Sequence, residues 1–165
     1  MSVVCNKILL IGIGNSGRGD DGLGWKFIEE LERFHDDFLQ LEFRYQLQIE
    51  DAELITHYDT VIFVDASHYT FSNGFQLKAC LPSDQASFTS HAQQPEAILY
   101  LANHLYDKFP DAYILAISGT EWELKTFLSD EAEKNLAAAL HHFENEFLPI
   151  IKFTKIPGKP YHIVY

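Results

Sequence analysis

The sequence contains little cysteine, little positive charge and no long hydrophobic run. Its two cysteines, Cys5 and Cys80, form no C-x-x-C pair, and their number excludes a disulfide framework and a thiolate zinc site. The longest early apolar run, residues 8–13, is too short to span a bilayer or to form the core of a signal peptide, and no basic segment precedes it. We therefore expect a soluble, cytoplasmic protein with reduced thiols.

Acidic residues dominate the charge. The chain has 24 Asp and Glu against 12 Lys and Arg, a formal net charge of −12. Such a surface repels phosphates and anionic lipids, so we expect no nucleic-acid partner and no membrane partner. The 165 residues, 47% of them hydrophobic, are enough to bury a core. We expect one domain over residues 1–165, acting as a monomer.

Strand patterns alternate with helix patterns along the chain. Buried or edge strands are predicted at residues 7–13, 39–48, 60–65, 75–81 and 112–118. Helices are predicted at residues 25–34, 50–57, 95–109 and 129–147, with Ser129 as an N-cap, whereas the tail from residue 151 is not assigned. This alternation predicts an α/β fold: a three-layer, open, twisted, mostly parallel sheet with helices on both faces. Such folds place their sites beyond the carboxyl ends of the strands, near the switch point.

The loop after the first strand has the dinucleotide-type spacing G-x-G-x-x-G at Gly12, Gly14 and Gly17. The next acids, Asp20 and Asp21, oppose that interpretation, because two carboxylates would repel the pyrophosphate that a helix N-terminus binds. The acids are explained equally well by helix capping or by a functional role, and the residues alone leave both open.

Two further polar residues lie where the predicted strands and helices meet. Asp65 ends a buried strand, and His91 lies in the loop before the helix that begins at Pro95. Each has a simpler explanation: Asp65 as a turn cap and His91 as a surface histidine. On a doubly wound sheet, however, Asp21, Asp65 and His91 would come from three loops on one rim, and two carboxylates with an imidazole suit Zn²⁺ or Ni²⁺.

The residues from Gly12 to Gly24, GIGNSGRGDDGLG, resemble the G-x-G-N-x-x-x-x-D-[DE]-G-x-G signature of the hydrogenase maturation proteases. Later segments are similar to that family in the same order: residues 45–54, the strand ending at Asp65, the loop at His91 and the turn at residues 117–121. The sequence lacks the family's proline at residues 48–50, and Lys125-Thr-Phe replaces its glycine-containing run.

The resemblance implies a metal-dependent endopeptidase that removes a short C-terminal extension from the nickel-loaded precursor of a [NiFe] hydrogenase large subunit. Its metal-binding and catalytic residues carry over as Asp21, Asp65 and His91, and Asp20 carries over in a supporting role. The metal implied is nickel supplied with the precursor, and Zn or Cd could occupy the same site.

Other catalytic arrangements have no motif in the sequence. There is no H-E-x-x-H helix, and Ser67 and Ser118 lie in no G-x-S-x-G frame. Metal-assisted hydrolysis is therefore favoured, with the general base unassigned. Two alternatives remain: a nucleotide-binding module that uses the glycine-rich loop, and a non-catalytic relative that binds the partner without cutting it.

Overall fold

The computed structural model describes residues 5–34, 36–85 and 93–153. Its strands are β1 Ile8–Ile13, β2 Leu39–Arg44, β3 Thr60–Ser67, β4 Phe75–Ala79 and β5 Asp111–Ser118. Its α-helices are α1 Leu23–Leu31, α2 Asp51–Leu54, α3 Pro95–Tyr106, α4 Asp130–His142 and α5 Leu148–Phe153. Short 3₁₀ turns occupy Gly19–Gly22 and Ile55–His57, and a π-helical turn, Phe143–Phe147, joins α4 to α5.

The described strands form one sheet in the order β2-β1-β3-β5-β4. The first four in that order are parallel, and β4 pairs antiparallel with β5 at the edge. The chain moves from β1 to β2 on one side and then returns to place β3 on the other side of β1. The predicted open, mostly parallel sheet is confirmed, and its switch point lies between β1 and β3.

Helices cover both faces of the sheet, because the strand side chains alternate between two cores. Ile8 and Leu10 of β1 pack with the apolar faces of α1, α4 and α5. Leu9 and Ile11 of the same strand pack on the opposite face with residues of α3 and of the α2 region. A strand buried on both faces explains the unbroken apolar run of β1.

Several element boundaries differ from those expected from the sequence. β2 ends at Arg44 rather than at residue 48, because the chain then turns to bury Leu47. The predicted helix 129–147 is regular only to His142. Its predicted N-cap is confirmed, since the Ser129 side chain accepts a hydrogen bond from the Ala132 amide.

In the described part of the chain, no helix has the length and apolar character that crossing a membrane requires.

Some expectations concern segments that the structure describes only in part or not at all. Residues 151–153 complete α5, and the rest of the tail lies outside the described residues. The loop that carries His91, residues 86–92, also lies outside them.

Candidate functional site

The candidate site lies at the carboxyl ends of β1 and β3, the switch point of the sheet. Val64 of β3 pairs with Gly12 of β1, so Asp65 emerges beside the last residue of β1. Asp21 lies in the turn between β1 and α1. The N-terminus of α1 approaches both strands closely, because a Cβ on Gly24 would lie 2.5 Å from the carbonyl oxygens of Ile13 and Val64.

The loop after β1 folds back on Asp21. The Asn15 amide donates to the Asp21 carboxylate over 2.9 Å and to the Asp21 carbonyl oxygen over 3.2 Å. Gly14 has a φ of +135°, and a Cβ there would lie 2.0 Å from the same carbonyl oxygen. Position 14 therefore requires glycine on both grounds, backbone conformation and space. These contacts fix the position of the Asp21 side chain.

Asp65 lies near Asp21 and has a raised pKa. Burial and the nearby negative charge of Asp21 raise the pKa of Asp65 from 3.8 to about 7, although the Ala66 amide, which donates to its carboxylate over 2.8 Å, opposes the rise. A cation bound beside Asp65 would favour its ionised form. The carboxylates of Asp21 and Asp65 thus fit a divalent metal. Acids with a shifted pKa are also frequent at functional sites.

The structure brings together two of the three predicted ligands. The third, His91, lies outside the described residues, and within those residues no three His, Cys, Asp or Glu side chains form a metal-binding group. The described chain resumes just after that loop at Gln93, which forms an antiparallel bridge with Leu47. Whether His91 joins Asp21 and Asp65 therefore stays a prediction.

Asp20 has a different environment from Asp21. Its side chain is fully buried, and its carboxylate accepts four hydrogen bonds of 2.7 to 2.9 Å from described groups. The donors are the amides of Thr120, Glu121 and Ser129 and the Ser129 hydroxyl. Asp20 does not cap its own helix; it joins the first loop to the loop after β5 and to the N-cap of α4.

The amides of the first loop are used within the chain. Between Gly14 and Asp21, every amide except that of Ser16 has a described acceptor, with acceptors that include Arg44, Asn15 and Lys125. A dinucleotide pyrophosphate is bound by free amides at this position. The loop geometry therefore supports the prediction that its glycines shape the turn around the acids rather than bind phosphate.

Candidate nucleophiles near the sheet are committed to structural roles. The Ser118 hydroxyl is buried, accepts from the Phe71 amide and donates to the Tyr69 carbonyl oxygen. The Ser67 hydroxyl accepts from the Tyr69 amide. Cys80 is buried, and burial raises the pKa of its thiol to about 12, so its thiolate is scarce at neutral pH.

The sequence did not reveal an aromatic pair near the site, of which one member, His68, follows β3 directly. The ring of His68 stacks on Trp122 of the loop after β5, with ring centroids 3.8 Å apart. Trp122 also lies against Gly119, beside the Asp20 side chain. His68, three residues after Asp65, is therefore in contact with the loop that Asp20 holds. Because the two aromatic residues are 54 positions apart, no local pattern signals the pair.

Comparison with known proteins gives a fold-level match. No protein-family model matches the sequence, and no curated protein matches it. Among solved structures, the hydrogenase-maturating endopeptidase HybD from E. coli has a TM-score of 0.67 and 18% identity over 82% of this chain and 88% of its own. The [NiFe] hydrogenase maturation protease HycI from Thermococcus kodakarensis KOD1 has a TM-score of 0.67 and 22% identity, covering 88% of this chain and 94% of its own.

A third structure extends the match. The hydrogenase 2 maturation peptidase from Thaumarchaeota archaeon SCGC_AB-539-E09 has a TM-score of 0.61 and 21% identity, over 84% of this chain and 96% of its own. The match spans 88% to 96% of these three chains and agrees with the resemblance of the first-loop signature. The chain has the α/β fold of the hydrogenase maturation proteases.

Proposed function

We propose that the protein is a metal-dependent endopeptidase that removes a short C-terminal extension from the nickel-loaded precursor of a [NiFe] hydrogenase large subunit. One observation carries the proposal: in the fold of the maturation proteases, Asp21 and Asp65 lie together at the switch point, and the pKa of Asp65 is raised to about 7. Burial and the charge of Asp21 disfavour the ionised form of Asp65, and a bound cation would favour it.

The nickel is part of the substrate, held in the precursor before the protease binds. Asp21 and Asp65 would supply carboxylate oxygens to it, and His91 would supply an imidazole nitrogen. Asp65 must lose its proton to act as a ligand, which its pKa of about 7 permits near neutral pH. The metal would polarise the scissile carbonyl or activate a water molecule.

The residues around the acids set the geometry for that chemistry. The Asn15 amide holds the Asp21 carboxylate, and the Ala66 amide holds that of Asp65. Both acids are therefore oriented before any metal arrives, which lowers the ordering cost of binding. The position of α3 supports His91 as the third ligand. The loop that carries His91 leads directly into α3, and α3 packs on the sheet face that Val61 and Phe63 of β3 share.

The test is incubation of the protein with two forms of a large-subunit precursor, nickel-loaded and nickel-free. We expect only the nickel-loaded form to be shortened, and we expect Asp21→Asn, Asp65→Asn and His91→Ala to abolish the shortening. Asp37→Asn, which removes one exposed negative charge, is the matched control and should cleave normally.

The same incubation separates the alternatives. A stable complex with an uncut precursor would support a non-catalytic partner-binding protein. Equal shortening of the nickel-free precursor would show that recognition does not use the metal, and normal shortening by all three site variants would show that the site has been misassigned.

A further inference from the structure

Asp20 connects two loops that are about 100 positions apart in the sequence. Its Oδ2 atom accepts from the amides of Thr120 and Glu121, and its Oδ1 atom accepts from the amide of Ser129. In the reverse direction, the Asp20 amide donates to the Glu121 carbonyl oxygen over 2.8 Å. Main-chain bonds link the same segments again, because Gly19 donates to Lys125 over 2.8 Å.

The next residue along the chain is Asp21. Both acids belong to the same 3₁₀ turn, Gly19–Gly22, but their side chains have different partners. Asp20 is fully buried among its donors, whereas the Asp21 carboxylate is bound by the Asn15 amide and acts electrostatically on Asp65. A turn of four residues has few bonds of its own, so its orientation depends on what anchors it.

We propose that Asp20 is a positioning residue for Asp21: by binding residues 120, 121 and 129, it fixes the turn that presents the Asp21 carboxylate to Asp65. The inference rests on the proposed function for its consequence in catalysis, since it assigns Asp20 no contact with the metal or the peptide. Charge-assisted hydrogen bonds to backbone amides are among the stronger anchors available.

Asp20→Asn tests the anchor with little change of shape. Because each carboxylate oxygen faces a backbone N–H, the asparagine NH₂ group must oppose at least one donor in either orientation. Ser129→Ala is the matched control, since it removes the hydroxyl bond to Asp20 and the cap of α4 but keeps the three amide bonds. Both variants should lose thermal stability.

The readouts are Zn²⁺ affinity by calorimetry and backbone hydrogen exchange at Asn15, whose amide donates to Asp21. For Asp20→Asn we expect the Kd for Zn²⁺ to rise at least tenfold and exchange at Asn15 to accelerate at least tenfold, relative to Ser129→Ala. Exchange at Leu10 and Phe63, in the central strands, should change equally in the two variants.

Equal zinc affinity and equal exchange in the two variants would overturn the proposal. Weaker zinc binding without faster exchange at Asn15 would also overturn it, because Asp20 would then not act through the turn. If the wild type leaves a nickel-loaded precursor intact, the proposed function fails, whereas exchange at Asn15 still decides the role of Asp20.

A second variant covers a failure of Asp20→Asn to fold. A Cβ added at Gly119 would lie 2.8 Å from the Asp20 Cβ and 2.9 Å from the Trp122 ring. Gly119→Ala therefore crowds the Asp20 side chain at its Cβ without altering its carboxylate. The same weakening of zinc binding and the same faster exchange at Asn15 are expected, and their absence would contradict the proposal.

Discussion

Replacing Asp65 by asparagine should stabilise the metal-free protein at neutral pH while abolishing its function. Asparagine has nearly the shape of the protonated acid, and its carbonyl oxygen can keep the hydrogen bond from the Ala66 amide. What it removes is the charge that burial and Asp21 disfavour. An acid kept for function at a cost in stability is a recognised feature of active sites.

The magnitude follows from the pKa of Asp65. The pKa of about 7 in the folded protein exceeds the ordinary pKa of 3.8 by about 3, and at about 1.4 kcal/mol per pH unit this corresponds to about 4 kcal/mol. Between these two pH values the folded protein holds the Asp65 proton more tightly than the unfolded chain does. The stability that the protonated acid contributes is therefore fully present below pH 3.8 and is lost as the pH rises to about 7.

The assay is thermal unfolding of wild type and Asp65→Asn with a chelator present, from pH 4 to pH 8. At pH 8 the melting temperature of the variant should exceed that of wild type by about 10 °C, since 1 kcal/mol is about 2–4 °C for a domain of this size. The difference should vanish towards pH 4. Asp37→Asn, at an exposed site, measures the general effect of removing one charge from a chain of net charge −12.

Parallel stability curves for wild type and Asp65→Asn across this range would refute the reasoning, because they would show that Asp65 ionises without penalty. A gain equal to that of Asp37→Asn would refute it as well, since the effect would then come from net charge. Excess Zn²⁺ should raise the melting temperature of wild type and leave that of Asp65→Asn unchanged.

Further outcomes are expected at the loops around the site. Gly14→Ala should lower stability by about 1–3 kcal/mol or more, because a side chain there meets both an unfavourable φ and the Asp21 carbonyl oxygen; denaturant unfolding measures this. His91→Ala should abolish cleavage of a nickel-loaded precursor with little change in melting temperature, and His57→Ala, at an exposed position where the ring hydrogen-bonds to Glu53, should cleave normally. Calorimetry with NAD or FAD should show no binding at micromolar concentration, and micromolar affinity would contradict the assignment of the first-loop amides.

The fold could be predicted closely because its three central strands are largely buried on both faces. β1, β3 and β5 are continuous apolar runs whose ends are marked by polar residues, and their observed limits lie within two residues of those expected. The end of β2 was harder, because burial of Leu47 after the strand extends the same apolar pattern. The π-helical turn Phe143–Phe147 has no local signal, since its residues continue the helical spacing.

The site could be predicted only in part. Asp21 and Asp65 follow strands that the topology brings together, so their proximity follows from the fold. The residues alone do not separate the roles of Asp20 and Asp21, which only the family resemblance distinguishes, because the partners of Asp20 lie 100 to 109 positions away. The position of His91 stays a prediction.

The most direct test of the central claim is the mass spectrum of the peptides released when the protein is incubated with a nickel-loaded large-subunit precursor. We expect one short peptide from the precursor's C-terminus, released by the wild type and missing with Asp65→Asn. Release of no peptide, of internal peptides, or of the same peptide by Asp65→Asn would contradict it.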